Sequence, residues 1–202
     1  MKFRDFYKLL ELRKLYVFSF DDLLLLYPKE TNENLGKTMY RWKRTGWLNP
    51  LKRGLYELAY PKALNIPDLY IANKMYQPSY VSLETALSHY SVIPEVSMAV
   101  TSITTKPTRR FRNSHGFFHY RTVRPALFNG YFIEEIRGFS IFIAEPEKAF
   151  IDYLYFQAYR KKKFQLPEQR FDRKKINAFS EKKLKEYAEM YGMDMGEIDA
   201  YL

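Results

Sequence analysis

Three apolar positions near the start of the chain, with one arginine, fall at helical spacing. Phe6, Leu9, Leu10 and Arg13 predict a first helix over residues 3–16. Ser19-Phe20-Asp21-Asp22 then precedes the run Leu23-Leu24-Leu25-Leu26. A hydroxyl at 19 with a carboxylate three residues on is the pattern of a capped helix start, and Pro28 stops that helix. The next helix starts at Thr31 or Asn32, both good N-cap residues, and ends at Gly46. It is sorted into two faces. Leu35, Met39 and Trp42 fall at i, i+4 and i+7, while Lys37, Tyr40, Arg41 and Arg44 project from the other side. Trp47-Leu48, a polar turn at Lys52-Arg53-Gly54 and Leu55–Leu58 read as a short β-hairpin.

Pro61, Pro67 and Pro78 interrupt the pattern around a short helix, Leu69 to Met75, so residues 61–78 read as a linker. Beyond it the pattern is mixed. Ser82 is a credible cap for a helix over Leu83–Tyr90. Strand-like runs rich in Val, Ile, Thr, Tyr and Phe follow at Met98–Thr105, Phe117–Val123, Tyr131–Ile136 and Phe139–Ala144. Arg137-Gly138 is the tight turn between the last two. Pro146 opens a helix to about Tyr159, buried along Ala149, Phe150, Tyr153 and Leu154, with Arg160–Lys163 as its cationic end. Two further helices, Asp172–Phe179 and Ser180–Tyr191, complete a helical tail. The expected fold class is α+β. A winged helix-turn-helix occupies residues 1–60, and a mixed domain with an antiparallel sheet and helical tail occupies residues 79–202.

Charge sharpens the reading of the first part. Residues 29–53 hold seven Lys or Arg against Glu30 and Glu33. The sorted helix then offers one face to its own domain and the other to phosphates and base edges. The candidate DNA-binding residues are Lys37, Tyr40, Arg41 and Arg44 on the helix and Lys52 and Arg53 on the wing. Glu33 shares the outer face and counts against this reading. The plain alternative is a solvated amphipathic helix followed by an unrelated hairpin.

Composition narrows the remaining classes. Of 202 residues, 47% are hydrophobic and 18% aromatic, which supports packed cores rather than disorder. The net charge of +10 suits a polyanionic partner. With no Cys there is no disulfide framework, thiolate zinc site or thiol nucleophile. No apolar run approaches a membrane span, and residues 1–5 lack a signal-peptide core, so a cytoplasmic location is expected.

A second electropositive stretch lies further on. Between Glu95 and Glu134 there is no acid, while Lys106, Arg109, Arg110, Arg112, Arg121 and Arg124 fall within it. It reads either as a further phosphate-contacting or anion-binding surface or as edge charge that keeps a sheet from aggregating. Glu145-Pro146-Glu147-Lys148 contains the Glu-x-Lys of metal-dependent nucleases. The proline interrupts any strand, however, and no acid precedes it in the hairpin, so Glu147 is better explained at a helix N-terminus. Asp152 pairs with a base or caps a loop. His89, His115 and His119 lack metal-ligand spacing, and no Gly-rich phosphate loop occurs. No catalytic residue, metal or cofactor is expected. The competing readings are a winged-helix-targeted metal-dependent nuclease and an interaction module for an acidic protein.

One string has a specific likeness. Tyr80-Val81-Ser82-Leu83-Glu84-Thr85-Ala86-Leu87 is followed by Val92-Ile93-Pro94-Glu95 and Val100-Thr101-Ser102-Ile103-Thr104-Thr105-Lys106. Then come Arg109-Arg110-Phe111, Phe118-His119-Tyr120, Gly130-Tyr131 and Ala144–Ala149. With Phe18–Leu23 and Leu51–Tyr56, this resembles the AbiEi family, the antitoxins of AbiE-type bacterial toxin–antitoxin and phage abortive-infection systems. The likeness covers about residues 15–160. It implies an N-terminal winged helix that binds operator repeats and represses its own operon. It also implies a C-terminal domain needed for antitoxicity against a nucleotidyltransferase toxin, without a stable complex between the two. The chain lacks a nucleotidyltransferase Gly-Ser followed by paired Asp, which fits the regulator of such a system.

Overall fold

Side-chain caps start the second and third helices of the chain. The computed structural model describes residues 2–60, 65–95, 97–159 and 171–199. They fall into two compact units, Met1–Pro67 with Asn113–His115, and Asp68–Arg112 with Gly116–Leu202. The first unit runs α1 (Phe3–Leu12), β1 (Val17–Ser19), α2 (Phe20–Leu26), α3 (Asn32–Arg44), β2 (Leu48–Lys52) and β3 (Leu55–Leu58). Ser19 and Asp22 form a reciprocal capping box: Ser19 N–H donates to Asp22 at 2.7 Å, and Asp22 N–H donates to the Ser19 hydroxyl at 3.1 Å. Thr31 caps α3 by accepting from Asn34 N–H at 3.2 Å. Gly46, at φ +73°, ends it. Gly46 N–H donates to Lys43 C=O and Trp47 N–H to Trp42 C=O, the double bond of a Schellman end.

The three strands form an antiparallel sheet in the order β1-β3-β2. Only β2 and β3 were expected; β1 has three residues, too few for an alternation to show. The core joins Phe6 and Leu10 of α1, Phe18, Leu23, Met39 and Trp42 with Leu48 and Leu58. Each such side chain, fully buried, contributes roughly 1.5–3 kcal/mol.

The second unit contains α4 (Asp68–Met75), β4 (Ser79–Val81), α5 (Leu83–His89), β5 (Ala99–Thr104), β6 (Arg109–Asn113), β7 (Gly116–Thr122), β8 (Tyr131–Ile136), β9 (Phe139–Ala144), α6 (Pro146–Leu154), α7 (Arg173–Ile176), α8 (Glu181–Tyr191) and α9 (Met195–Asp199). Helix α4 lies within the stretch read as linker and belongs to this unit. Residues 61–64 of that stretch and the Arg160–Lys163 run lie outside the described residues.

The sheet order is β6-β7-β5-β4-β9-β8. Pairs β4–β5 and β8–β9 are antiparallel, whereas β5–β7 and β4–β9 are parallel. The expected α+β class holds, with a mixed sheet where an antiparallel one was expected. The β8–β9 turn is two residues long, Arg137 at φ +53° and Gly138 at φ +80°, the paired positive φ that suits a tight hairpin.

Register fixes the two faces. Tyr80, Ile103 and Arg121 are aligned and face α6, whose Asp152 accepts from Tyr80 OH at 3.2 Å. The alternate positions face α4, where Tyr120 OH donates to Ala72 C=O at 2.7 Å and Tyr70 packs on Phe139. Strand β4 is short and pairs with β9 only at Val81–Ile143. Beside that single pair, the Asn73 side chain does a strand's work. Its amide donates to Phe142 C=O at 3.2 Å and its carbonyl accepts Phe142 N–H at 2.7 Å.

Candidate nucleic-acid interface

Helix α3 is held by one stripe. Leu35, Met39 and Trp42 are all buried, and Trp42 is boxed by the rings of Phe3 (5.1 Å, edge-on) and Phe6 (4.7 Å). This orientation turns Lys37, Tyr40, Arg41 and Arg44 to solvent, and Tyr40 is 62% exposed. The four expected residues therefore share one exposed face. Glu33 is on it too: Lys37 Nζ lies 2.5 Å from Glu33 Oε1, one helical turn away, with both side chains well exposed. Exposed pairs of this kind are weak and exchange readily for another anion.

The hairpin supplies the other two. Lys52 ends β2 and is half-buried; Arg53 is exposed in the turn. Gly54 takes φ +77°, and its carbonyl accepts Phe20 N–H at 3.1 Å, which fastens the turn to the start of α2.

Arg41 also borders a cleft of about 650 Å³ whose walls include Phe3, Trp42 and Trp47. Lys2 and Arg4 line it as well, and among the described residues none that lines it is acidic. These two cations were not among the expected contacts. They belong to the start of α1, and their spacing carries no signal of its own.

The six basic residues read as a second electropositive stretch divide between faces. On the α6 side, the Arg121 guanidinium lies 5.9 Å from the Phe156 ring and Arg112 lies 5.1 Å from the Phe117 ring. His119 shares this side. Burial lowers its pKa below the ordinary 6.5, and the charges of Arg110 and Arg121 lower it further against the opposing pull of Glu84. On the α4 side, Lys106 and Arg109 lie over Tyr76 at 5.5 and 6.0 Å. Arg124 is exposed just before a 3₁₀ turn at Pro125–Leu127. Arg109, Arg110 and Arg112 sit on β6, the outer strand of the sheet and one that sequence pattern did not anticipate. The structure thus brings Arg110, Arg112 and Arg121 to one side and places Lys106 and Arg109 on the other.

The Glu-Pro-Glu-Lys segment forms the start of α6, not a strand. Glu145 accepts from Tyr187 OH at 2.8 Å and pairs with Lys183 at 3.0 Å, while Glu147 accepts from Ser180 N–H at 2.9 Å. Lys148 and Asp152 are fully buried and paired with each other one turn apart. Lys148 Nζ also donates to the hydroxyls of Tyr80 (2.8 Å) and Tyr191 (2.9 Å), and Ser82 OH donates to Asp152 at 2.7 Å. Tyr191 OH donates to Asp152 as well. Burial pulls the Lys148 pKa down against the pull of Asp152, and burial with the Asp152 charge holds the Tyr191 hydroxyl far above its usual range. The base expected beside Asp152 is therefore Lys148. Among the described residues no group of three or more His, Cys, Asp or Glu is placed to hold a metal ion, and none of their helices is long and apolar enough to cross a membrane.

No protein-family model matches the chain, and no curated protein matches it.

Proposed function

We propose that the chain is a DNA-binding antitoxin and transcriptional autorepressor acting in the cytoplasm, with a nucleotidyltransferase toxin as its functional counterpart. The observation that carries the DNA-binding part is the division of α3. Three buried side chains anchor it, and three cations with a tyrosine face outward from one surface. The order α1-β1-α2-α3-β2-β3, with sheet order β1-β3-β2, supports a winged helix-turn-helix reading of the first unit. In that geometry Arg41 and Arg44 meet base edges or phosphates in the major groove, Tyr40 adds a hydroxyl, and Lys52 and Arg53 contact the backbone from the hairpin. The antitoxin part rests on the likeness of residues 15–160 to the AbiEi family.

The test is a gel-shift titration on double-stranded DNA from upstream of the chain's own gene, at several salt concentrations. Wild type should bind with a steep salt dependence, because each neutralised phosphate releases a counterion. Arg41→Ala with Arg44→Ala should weaken binding and reduce the log–log salt slope by about two. Equal binding by the double variant would remove α3 from the interface. A salt-insensitive chain that co-purifies with an acidic protein would indicate an interaction module instead. Coexpression with a neighbouring nucleotidyltransferase gene tests the antitoxin part: growth should recover only when this chain is present.

A further inference from the structure

The cleft beside Arg41 lies between the start of α1 and the end of α3. Phe3, Arg4 and Tyr7 share one side of α1, and Arg41 and Thr45 stand one turn apart on α3. Both sets line the cleft, with Trp47 just past the end of α3 and Tyr60 beyond β3. All of them belong to the first unit. The volume of about 650 Å³ falls in the range of about 300–1,000 Å³ typical of small-molecule sites.

Three features of the lining define an occupant. First, the walls are aromatic. The Phe3 ring stands 4.3 Å from that of Trp47 and 6.2 Å from that of Tyr60. Phe3 and Trp47 are only half-buried and Tyr60 is exposed, so ring surface stays open to a ligand. Second, Lys2, Arg4 and Arg41 are all exposed, and none of the three forms an ion pair among the described residues. Third, two of the hydroxyls are already engaged. Thr45 donates to Trp42 C=O at 3.0 Å, and Tyr7 donates at 2.8 Å to Glu11, which does not line the cleft. The charge open to a ligand is therefore positive only. A neutral ring would cover the walls and leave the cations unanswered; an inorganic anion would meet the cations and leave the rings bare.

We propose that this cleft binds a planar aromatic anion, its ring against Phe3, Trp47 and Tyr60 and its carboxylate or phosphate head held by Arg4 and Arg41. Ring faces suit such walls, and a guanidinium meets either head group with two parallel hydrogen bonds. The site shares Arg41 with the face read as DNA-binding but does not rest on that reading.

The experiment is an NMR titration of the full chain with 2-naphthoate and with 2-naphthyl phosphate. The chain has two tryptophans and both line the cleft, so their indole N–H signals report on this site. At least one of the two anions should bind saturably and shift the Trp47 signal. Neutral 2-naphthamide, which keeps the ring, and cyclohexanecarboxylate, which keeps the charge, should each bind about tenfold more weakly or worse. Arg4→Ala with Arg41→Ala removes two exposed side chains, so it should melt as wild type does. It should bind the anion at least about tenfold more weakly. Lys29→Ala, an exposed charge outside the cleft, should bind it as wild type does. Absence of saturable binding by both anions, equal affinity for either control compound, equal affinity in the double variant, or an equal loss in Lys29→Ala would each overturn the proposal. None of these readouts involves DNA, so a failed gel shift and a failed titration are separate results.

Discussion

Lys148 and Asp152 show how much depends on one pair of side chains. Both are wholly buried, and three hydroxyls, those of Tyr80, Ser82 and Tyr191, converge on them. Two opposite charges taken out of water are tolerable only while each answers the other. Lys148→Met leaves the carboxylate without its counter-charge and should cost about 3–5 kcal/mol in urea unfolding. Adding Asp152→Asn removes the stranded charge and keeps an oxygen for Ser82 and Tyr191. The double variant should therefore be more stable than Lys148→Met alone; losses that simply add would contradict the pairing. The i, i+4 spacing of these residues is visible in the sequence, and the basic partner expected for Asp152 is found there. What spacing could not show is that the pair faces inward, because that follows from Tyr80 and Tyr191, 68 and 43 positions from Lys148.

Whole elements were legible where their signals are local. The capping box at Ser19, the Thr31 cap, the two faces of α3 and the Arg137-Gly138 turn each lie within a few neighbouring residues. Strands β1, β4 and β6 were not legible. Two have only three residues, and β6 is Arg-Arg-Phe-Arg-Asn, a run that becomes a strand by pairing with β7. The candidate DNA-binding face was thus readable in advance, whereas the mixed order of the second sheet depends on pairing between distant short strands and could not be foreseen. The end of α3 offers a test at this scale. Gly46 takes a left-handed φ of +73°, and a Cβ there would meet nothing within 4 Å. Gly46→Ala should therefore act through backbone strain alone and destabilise by about 1–2 kcal/mol in thermal or urea unfolding. An unchanged midpoint would mean that the Schellman end is not maintained in solution.

Across the whole molecule the surplus of ten positive charges is spread over both units. The first unit carries its cations on α3, the hairpin and the start of α1, and the second carries them around β6 and β7. The arginines of β6 give the outer edge of the sheet a charged rim, which also discourages pairing with another chain. Deeper in that sheet, the Phe142 backbone of β9 is paired by a single side-chain amide, that of Asn73 on α4. Exchanging its nitrogen for oxygen, Asn73→Asp, changes volume hardly at all. It would nevertheless set a carboxylate against the Phe142 carbonyl in place of a donor, and leave one acceptor facing another. The expected cost is about 1–3 kcal/mol, together with faster hydrogen exchange at Phe142. Deamidation at this one position would thus weaken the sheet from within, a covalent form of ageing acting through a single side chain.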